Sequence, residues 1–229
     1  MASTIITAPL GTVMSPKFTL SLPHMTFDPL FANNVEFLLG NLTVISGEGT
    51  GQGACAYPEF AQNSGIRYWE CTWSGLTSQT LPAGPGLCTI ASIDDYATLA
   101  ANGSFGLILR PDSSIYYTGQ DNQQHVIPSN VWNQPQVEGD TVGIKADMRS
   151  GVVVISLTWC RGTAKNTFQN IFLPPGLYIP CVTFDDDNPS NSDALTGNFS
   201  LDRDTYLAPK TNIPEDFWTG VSWGWPNTA

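Results

Sequence analysis

The residue types that most often carry catalysis are sparse in this chain. It has two histidines, His24 and His125, and His125 lies in the polar stretch 121–133. A hydrolytic triad needs an imidazole beside a nucleophile and an orienting acid. The G-x-S-x-G match at Gly220–Gly224 lies in an aromatic tail interrupted by Gly and Pro, which cannot form the helix that follows a nucleophile elbow. We therefore expect exposed loop histidines and a protein that is not an enzyme.

Adjacent carboxylates are the other candidates for chemistry, at Asp94-Asp95 and at Asp185-Asp186-Asp187. Calcium takes about six to eight oxygen ligands, and the usual D-x-[DN]-x-[DN]-G spacing is absent. Neighbouring side chains on an extended chain also point in opposite directions. We expect residues 185–187 to form a solvated acidic loop without a metal, while a cation site and a recognition surface remain open alternatives.

Phosphate-binding and zinc-binding motifs are absent as well. The glycines of Gly47–Gly53 alternate with other residues instead of following GxxxxGK[ST], so this stretch predicts a flexible loop and no cofactor. No cysteine is part of a CxxC pair, which argues against a zinc site. Their scattered positions favour buried free thiols, at Cys55, Cys71, Cys88, Cys160 and Cys181.

The composition excludes several classes of partner. The chain has 229 residues, a net charge of −11 and nine scattered Lys and Arg residues, so it lacks the basic patch that nucleic-acid binding requires. Anionic membranes are disfavoured for the same reason. The N-terminus has no signal-peptide pattern, and no apolar run reaches the roughly 18 residues of a membrane span. We expect a cytoplasmic protein whose partners are basic or neutral.

Short β-branched and aromatic runs bounded by Gly, Pro, Asn or Asp dominate the middle of the chain. Strands are predicted at Thr141–Asp147, Val152–Trp159, Phe168–Phe172 and Leu177–Phe184, with a longer polar connection at Cys160–Thr167. The Arg149–Gly151 link is short enough for a hairpin. Antiparallel strands without helical periodicity between them predict an all-β sandwich or barrel.

Several of these segments carry motifs of a known family, in the family's order. They are Gly65–Trp73, Gly139–Ile144, Ile155–Leu157, Phe168–Ile171 and Leu173–Pro180. The alternation within Gly65–Trp73 predicts one face with Ile66, Tyr68, Glu70 and Thr72, and an inner face with Arg67, Trp69, Cys71 and Trp73. In these motifs the chain resembles a SPRY domain. The resemblance implies a bent antiparallel β-sandwich of SPRY or concanavalin-like type, and a non-catalytic module that binds other proteins.

The resemblance also divides the chain. It spans roughly residues 20–201, preceded by an N-terminal arm at 1–19 and followed by an aromatic C-terminal arm at 202–229. Lys17–Leu22 alternates polar and apolar residues as a half-buried strand does. Asp94–Leu99 is the one segment that predicts a short helix.

The SOCS-box branch of the SPRY family suggests where a peptide would bind. In that branch, peptide recognition involves a Tyr and a Leu that correspond to Tyr96 and Leu99 of this chain. It also involves a position where that branch has a Trp-Gly pair and this chain has Asp185-Asp186. That departure removes an aromatic wall, adds negative charge and favours a basic peptide. A third side of the site falls in the glycine-rich loop, at Glu48, Gly49 and Thr50.

The C-terminal arm contains three tryptophans, Trp218, Trp223 and Trp225, interleaved with Gly and Pro. If all were exposed, they would form an apolar patch larger than soluble monomers usually show. They must therefore pack either on their own domain or on a partner, and we include them among the partner-binding candidates.

The sequence favours a protein–protein interaction module, acting as a structural or accessory subunit of a larger assembly whose oligomeric state is not predicted. One alternative is a lectin-like sandwich in which Trp132 or the tail tryptophans stack on sugars while Asp185–Asp187 holds Ca²⁺. The other is a coat or shell protein, which the low Lys content and the Thr, Asn, Gly and Pro richness suggest.

Overall fold

In the computed structural model, residues 25–47, 49, 51–77, 84–92, 106–128, 132, 134–184 and 193–225 are described. The predicted strand at Lys17–Leu22 and the predicted short helix at Asp94–Leu99 lie outside them. Among the residues that are described, no helix has the length and apolar character needed to span a membrane.

The described residues form fifteen β-strands. They are β1 Phe27–Asn33, β2 Val35–Leu38, β3 Thr43–Ser46, β4 Gln52–Ala56, β5 Ile66–Gly75, β6 Gly84–Thr89, β7 Gly106–Leu109, β8 Ile115–Thr118, β9 Gln124–Ile127, β10 Thr141–Asp147, β11 Val153–Arg161, β12 Ala164–Leu173, β13 Tyr178–Phe184, β14 Ala194–Asn198 and β15 Val221–Trp223. Short 3₁₀-helical turns lie at Pro58–Phe60, Ile90–Ser92, Arg203–Thr205, Ala208–Lys210 and Glu215–Trp218.

The strands pair into two sheets that pack face to face. Sheet A has the order β1-β4-β13-β6-β7-β8-β9, and sheet B has the order β12-β11-β10-β5-β14-β3-β2. All these pairs are antiparallel, whereas β15 joins sheet B by pairing in parallel with Ile66–Tyr68 of β5. The predicted antiparallel sandwich is therefore confirmed.

One predicted connection is wrong. The polar stretch Cys160–Thr167 was expected to be a long link, but β11 and β12 continue through it and leave only Gly162-Thr163 as a turn, with Arg161 opposite Ala164. Gly162 adopts a positive φ of 56°, which this tight turn requires. Residues 161–167 are half-buried or exposed although most of them lie in strands, so polarity alone did not indicate a loop.

The core lies between the two sheets, and the alternation of β5 follows the prediction. Trp69, Cys71 and Trp73 point inward and are buried in the main apolar cluster. Trp69 stacks on Phe199 with ring centroids 5.3 Å apart, and Phe27 packs edge-on against both rings. Large aromatic rings thus fill the centre of the sandwich, and they hold β1, β5 and the end of β14 together.

The outer face of sheet B is covered by the C-terminal arm. A second, smaller apolar cluster forms there from Tyr68 and Cys160 of the sheet and Tyr206, Ala208 and Trp218 of the arm. Because β15 extends the sheet beside the first residues of β5, the arm is both packed on the domain and hydrogen-bonded to it.

Candidate partner-binding surfaces

The strand register brings several connections to one end of the sandwich. At the end of β13, Phe184 lies opposite Gln52 and Thr183 lies opposite Gly84. In sheet B, Ala194 at the start of β14 lies opposite both Gly75 and Ile45. The connections 47–51, 76–83 and 185–193 therefore all leave from this end, which we call the rim.

The glycine-rich connection is anchored at its base by polar side chains. Asn33 Nδ2 donates to the carbonyl of Gly51 at 2.8 Å, and the Gly47 amide donates to the carbonyl of Asn34 at 3.0 Å. The Gln52 side-chain amide donates to the carbonyl of Gly49. Gly49, one of the predicted binding residues, thus lies at the rim with a positive φ of 95°. Glu48 and Thr50 lie outside the described residues.

A buried carboxylate anchors the neighbouring connection. Oδ1 of Asp193 accepts hydrogen bonds from the amide and the hydroxyl of Thr77, at 2.5 and 2.7 Å. The Asp193 carbonyl accepts from the Ser46 amide at 2.8 Å. The predicted site residues Asp185 and Asp186 lie outside the described residues, but both ends of their segment are held by these contacts and by β13.

The other predicted peptide-binding pair, Tyr96 and Leu99, also lies outside the described residues. Their segment follows β6, whose last residue, Thr89, lies opposite Tyr178 at the start of β13. The rim is at the other end of β13, and at ~3.3 Å per residue the two ends are about 20 Å apart. The strand ends that flank the Tyr96 and Leu99 segment are therefore far from those that flank the Asp185 and Asp186 segment.

The tail tryptophans pack on their own domain. Trp225 has no exposed surface, Trp218 is 5% exposed, and Trp223 is half-buried. Trp218 and Trp223 meet the Tyr68 ring edge-on, with centroids 5.1 and 5.4 Å away. Of the two alternatives that the sequence left open, the structure has the internal one, and Trp223 alone of the three keeps appreciable surface for a partner.

Glu70 holds the arm against sheet B, a role that its sequence position does not predict. Its Oε1 accepts hydrogen bonds from the Tyr68 hydroxyl and the Ala208 amide, and its Oε2 accepts from the Leu207 amide, each at 2.8 Å. Burial raises the pKa of Glu70, although these donors act in the opposite direction. The one sequence signal is a glutamate among the otherwise uncharged outward residues of β5.

A groove of about 710 Å³ runs between the arm and the β10–β12 side of sheet B. Lys145 Nζ donates to the Phe217 carbonyl at 2.9 Å and lies 3.5 Å from the centroid of the Phe217 ring. Burial lowers the pKa of Lys145. Lys165 also lines the groove, and its Nζ is buried without a hydrogen-bond partner among the described residues. In the sequence these two lysines are scattered, and only the fold brings them to one groove.

A shallower pocket of about 460 Å³ contains His125, which lies in β9 and not in the loop that the sequence predicted. Its Nε2 lies 2.9 Å from Oδ1 of Asp121, and its ring stacks on Tyr117. The hydrogen bond from His125 lowers the pKa of Asp121. The described lining contains Tyr117 but no serine, threonine or cysteine, so this imidazole has no aliphatic hydroxyl or thiol nucleophile beside it.

The lectin-like alternative requires an exposed tryptophan ring for stacking on a sugar and a group of acidic residues that holds Ca²⁺. Trp132 is 3% exposed, so like Trp225 it presents no ring face to a sugar. Within the described ranges, no group of three or more His, Cys, Asp or Glu side chains is placed to hold a metal ion. The Asp185–Asp187 segment lies outside those ranges.

No protein-family model and no curated protein matches this chain. The SPRY domain of human HERC1 superposes with a TM-score of 0.53 at 15% identity, over 75% of this chain and 96% of that domain. The stonustoxin structure gives 0.49 at 17% identity, over 76% of this chain and 28% of its own. The Ca²⁺- and Man2-bound exoplasmic/lumenal domain of VIP36 gives 0.40 at 11% identity, over 85% and 88%. The resemblance found in the sequence is thus confirmed at the level of architecture, and this chain has the fold of a SPRY domain.

Proposed function

We propose that this chain is a non-catalytic protein-interaction module that binds a polypeptide through the rim. The observation that carries the proposal is the convergence of the connections 47–51, 76–83 and 185–193 at one end of the sandwich. Their bases are anchored by Asn33, Gln52 and Asp193. Loops mounted on a rigid scaffold are the usual place for binding residues, and the SPRY resemblance supports a protein as the partner.

The chemistry of the rim favours a basic partner. Asp185 and Asp186 stand in a segment that leaves the rim, and the chain as a whole has a net charge of −11. Complementary charge speeds the encounter with a partner and disfavours partners of like charge. We infer that the module selects Lys- or Arg-bearing segments and contributes to a larger assembly as an accessory subunit.

The non-catalytic part of the proposal has its own support. His125 is the one histidine among the described residues, and no serine, threonine or cysteine lines its pocket. The buried Glu70 carboxylate is occupied by three donors, two of them backbone amides, so it has a bracing role rather than an acid–base role.

The test is selection of peptides from a random library displayed on phage, with the full chain as bait. We expect enriched peptides to be basic, and their synthetic forms to bind the Asp185→Asn/Asp186→Asn variant more weakly by about tenfold. The matched control is Glu59→Gln/Asp204→Asn, which removes two exposed carboxylates away from the rim. Absence of enrichment over bare support, or equal binding to both variants, would overturn the proposal.

A further inference from the structure

We propose that the groove between the C-terminal arm and strand β12 is a second binding surface, which takes a carboxylate side chain of an acidic peptide segment. This surface is separate from the rim. Its proposed partner is acidic, whereas the proposed partner of the rim is basic. The proposal goes beyond the rim function and stands or fails independently of it.

The first observation is the state of Lys165. Its Nζ is buried and has no hydrogen-bond partner in the described part of the chain. None of the four ion pairs there involves it, so no described carboxylate oxygen lies within 4.0 Å. Buried charged groups are normally paired, and an unsatisfied one calls for a specific explanation such as an absent ligand.

The second observation is the charge of the groove wall. Lys145 and Lys165 contribute two positive charges and Asp216 one negative charge, so these three residues carry a net charge of +1. Lys145 is already directed at the Phe217 carbonyl, but an ammonium has three donor hydrogens and that contact uses one. The balance suits a single carboxylate better than a doubly charged phosphate.

The third observation is what surrounds the two lysines. Thr167 and Asn212 add a hydroxyl and an amide, whereas Ile213 and Phe217 supply apolar wall. The groove runs beside β12, an edge strand of sheet B, so it is bordered by chain that a second polypeptide can lie against. We infer that the ligand is a glutamate or aspartate next to an apolar residue in an extended segment.

The experiment uses a phage-displayed library in which each peptide carries one central glutamate between randomised positions. Selected peptides are synthesised with that glutamate and with glutamine in its place, and are titrated by calorimetry into the full chain. We expect glutamine to weaken binding about tenfold or more, because a charge-assisted hydrogen bond is lost. Lys165→Met should weaken the glutamate peptides to the same level.

Two variants make the result specific. Lys165→Arg keeps the charge and should retain most of the binding, while Lys210→Met removes an exposed charge of the arm that does not line the groove and should leave binding unchanged. The glutamine peptides test the ligand without altering the protein, so the result does not depend on the folding of a variant.

Equal binding to Lys165→Met and to the unaltered chain would overturn the groove proposal, as would the absence of enriched peptides. Displacement of the peptide by inorganic phosphate alone would reassign the groove to a small anion and overturn the peptide assignment. Basic peptides that respond to Asp185→Asn/Asp186→Asn leave the rim proposal standing in all of these cases.

Discussion

The Tyr68 hydroxyl donates a 2.8 Å hydrogen bond to Oε1 of Glu70, its neighbour on the outward face of β5. The same carboxylate accepts the backbone amides of Leu207 and Ala208. Two adjacent outward side chains of one strand therefore hold a segment that lies more than a hundred residues further along the chain. This contact makes the C-terminal arm part of the folded domain.

Glu70→Ala should loosen the arm. It leaves the buried Ala208 amide, the part-buried Leu207 amide and the Tyr68 hydroxyl without their acceptor. Each unsatisfied buried donor costs about 1–3 kcal/mol, so we expect a loss of about 3 kcal/mol in the free energy of unfolding. Urea denaturation measures the loss, and limited proteolysis should cut within residues 202–225. Glu215→Ala, which removes an exposed partner of Arg203, is the control and should change little. An unchanged proteolytic pattern for Glu70→Ala would contradict this account.

Gly143→Ala should destabilise the packing of Tyr68, the residue that hydrogen-bonds to Glu70. A Cβ at position 143 would overlap the Tyr68 hydroxyl and ring, which lie directly over this glycine. Forcing a side chain into a packed site typically costs about 1–3 kcal/mol, and thermal denaturation would show it. The loss should be smaller in a Tyr68→Phe background, because the nearest overlapping atom is gone. Equal losses in the two backgrounds would show that the overlap is relieved in another way.

Asp140→Asn should destabilise the hairpin formed by β10 and β11. Asp140 is fully buried and accepts two hydrogen bonds from Arg161, one from the Trp159 indole and one from the Val137 amide. Breaking a buried ion pair costs about 3–5 kcal/mol. Because Arg161 is partly exposed, we expect a loss of about 3 kcal/mol in the free energy of unfolding. Asp147→Asn, at the exposed Arg149 pair, is the control and should lose much less. Comparable losses for both variants would be inconsistent with this role.

Lys165→Met and Lys145→Met should have opposite effects on stability. The first removes a buried ammonium that lacks a partner, so unfolding should become harder by up to about 1 kcal/mol. The second removes a hydrogen bond and a cation–π contact with Phe217, so unfolding should become easier by about 1 kcal/mol. Guanidinium denaturation of both variants is the measurement. Destabilisation by Lys165→Met would mean that Lys165 already has a partner within the folded chain.

The cysteines should be unreactive in the folded protein. All five are free and buried. Burial raises the pKa of Cys160 to about 12 and that of Cys71 further, so few thiolates form at pH 8. Titration with a thiol-reactive dye should label the protein slowly until denaturant is added and should then label all five positions. Rapid labelling of the native protein would contradict the burial of at least one thiol.

The sandwich could be predicted because its signals are local. The alternation in β5 placed Trp69 and Trp73 inward, and Thr141–Asp147 was delimited correctly by its flanking polar residues. Both predictions depend only on the two-residue period of a strand and on the turn residues that flank it. The resemblance to SPRY motifs then implied two antiparallel sheets packed as a sandwich, but not the order of the strands within them.

The arm and the groove could not be predicted because they are made by distant residues. β15 pairs beside Ile66–Tyr68 because β14 covers β5 only from Glu70 onwards, a gap that appears only in the assembled sheet. Trp218 and Trp223 stand in a stretch interrupted by Gly and show no helical or strand period, so nothing in the sequence indicated that they would cover Tyr68. The Lys145–Phe217 contact likewise joins residues that are 72 positions apart.

The central claim is that the rim binds a polypeptide, and amide chemical-shift mapping tests it most directly. The full ¹⁵N-labelled chain would be titrated with a basic peptide recovered from the display selection. The account predicts that the largest shifts fall on rim residues such as Gly49, Gln52, Thr183 and Asp193. Shifts centred instead on Tyr117 and His125, or a titration that leaves the rim amides unmoved, would contradict it.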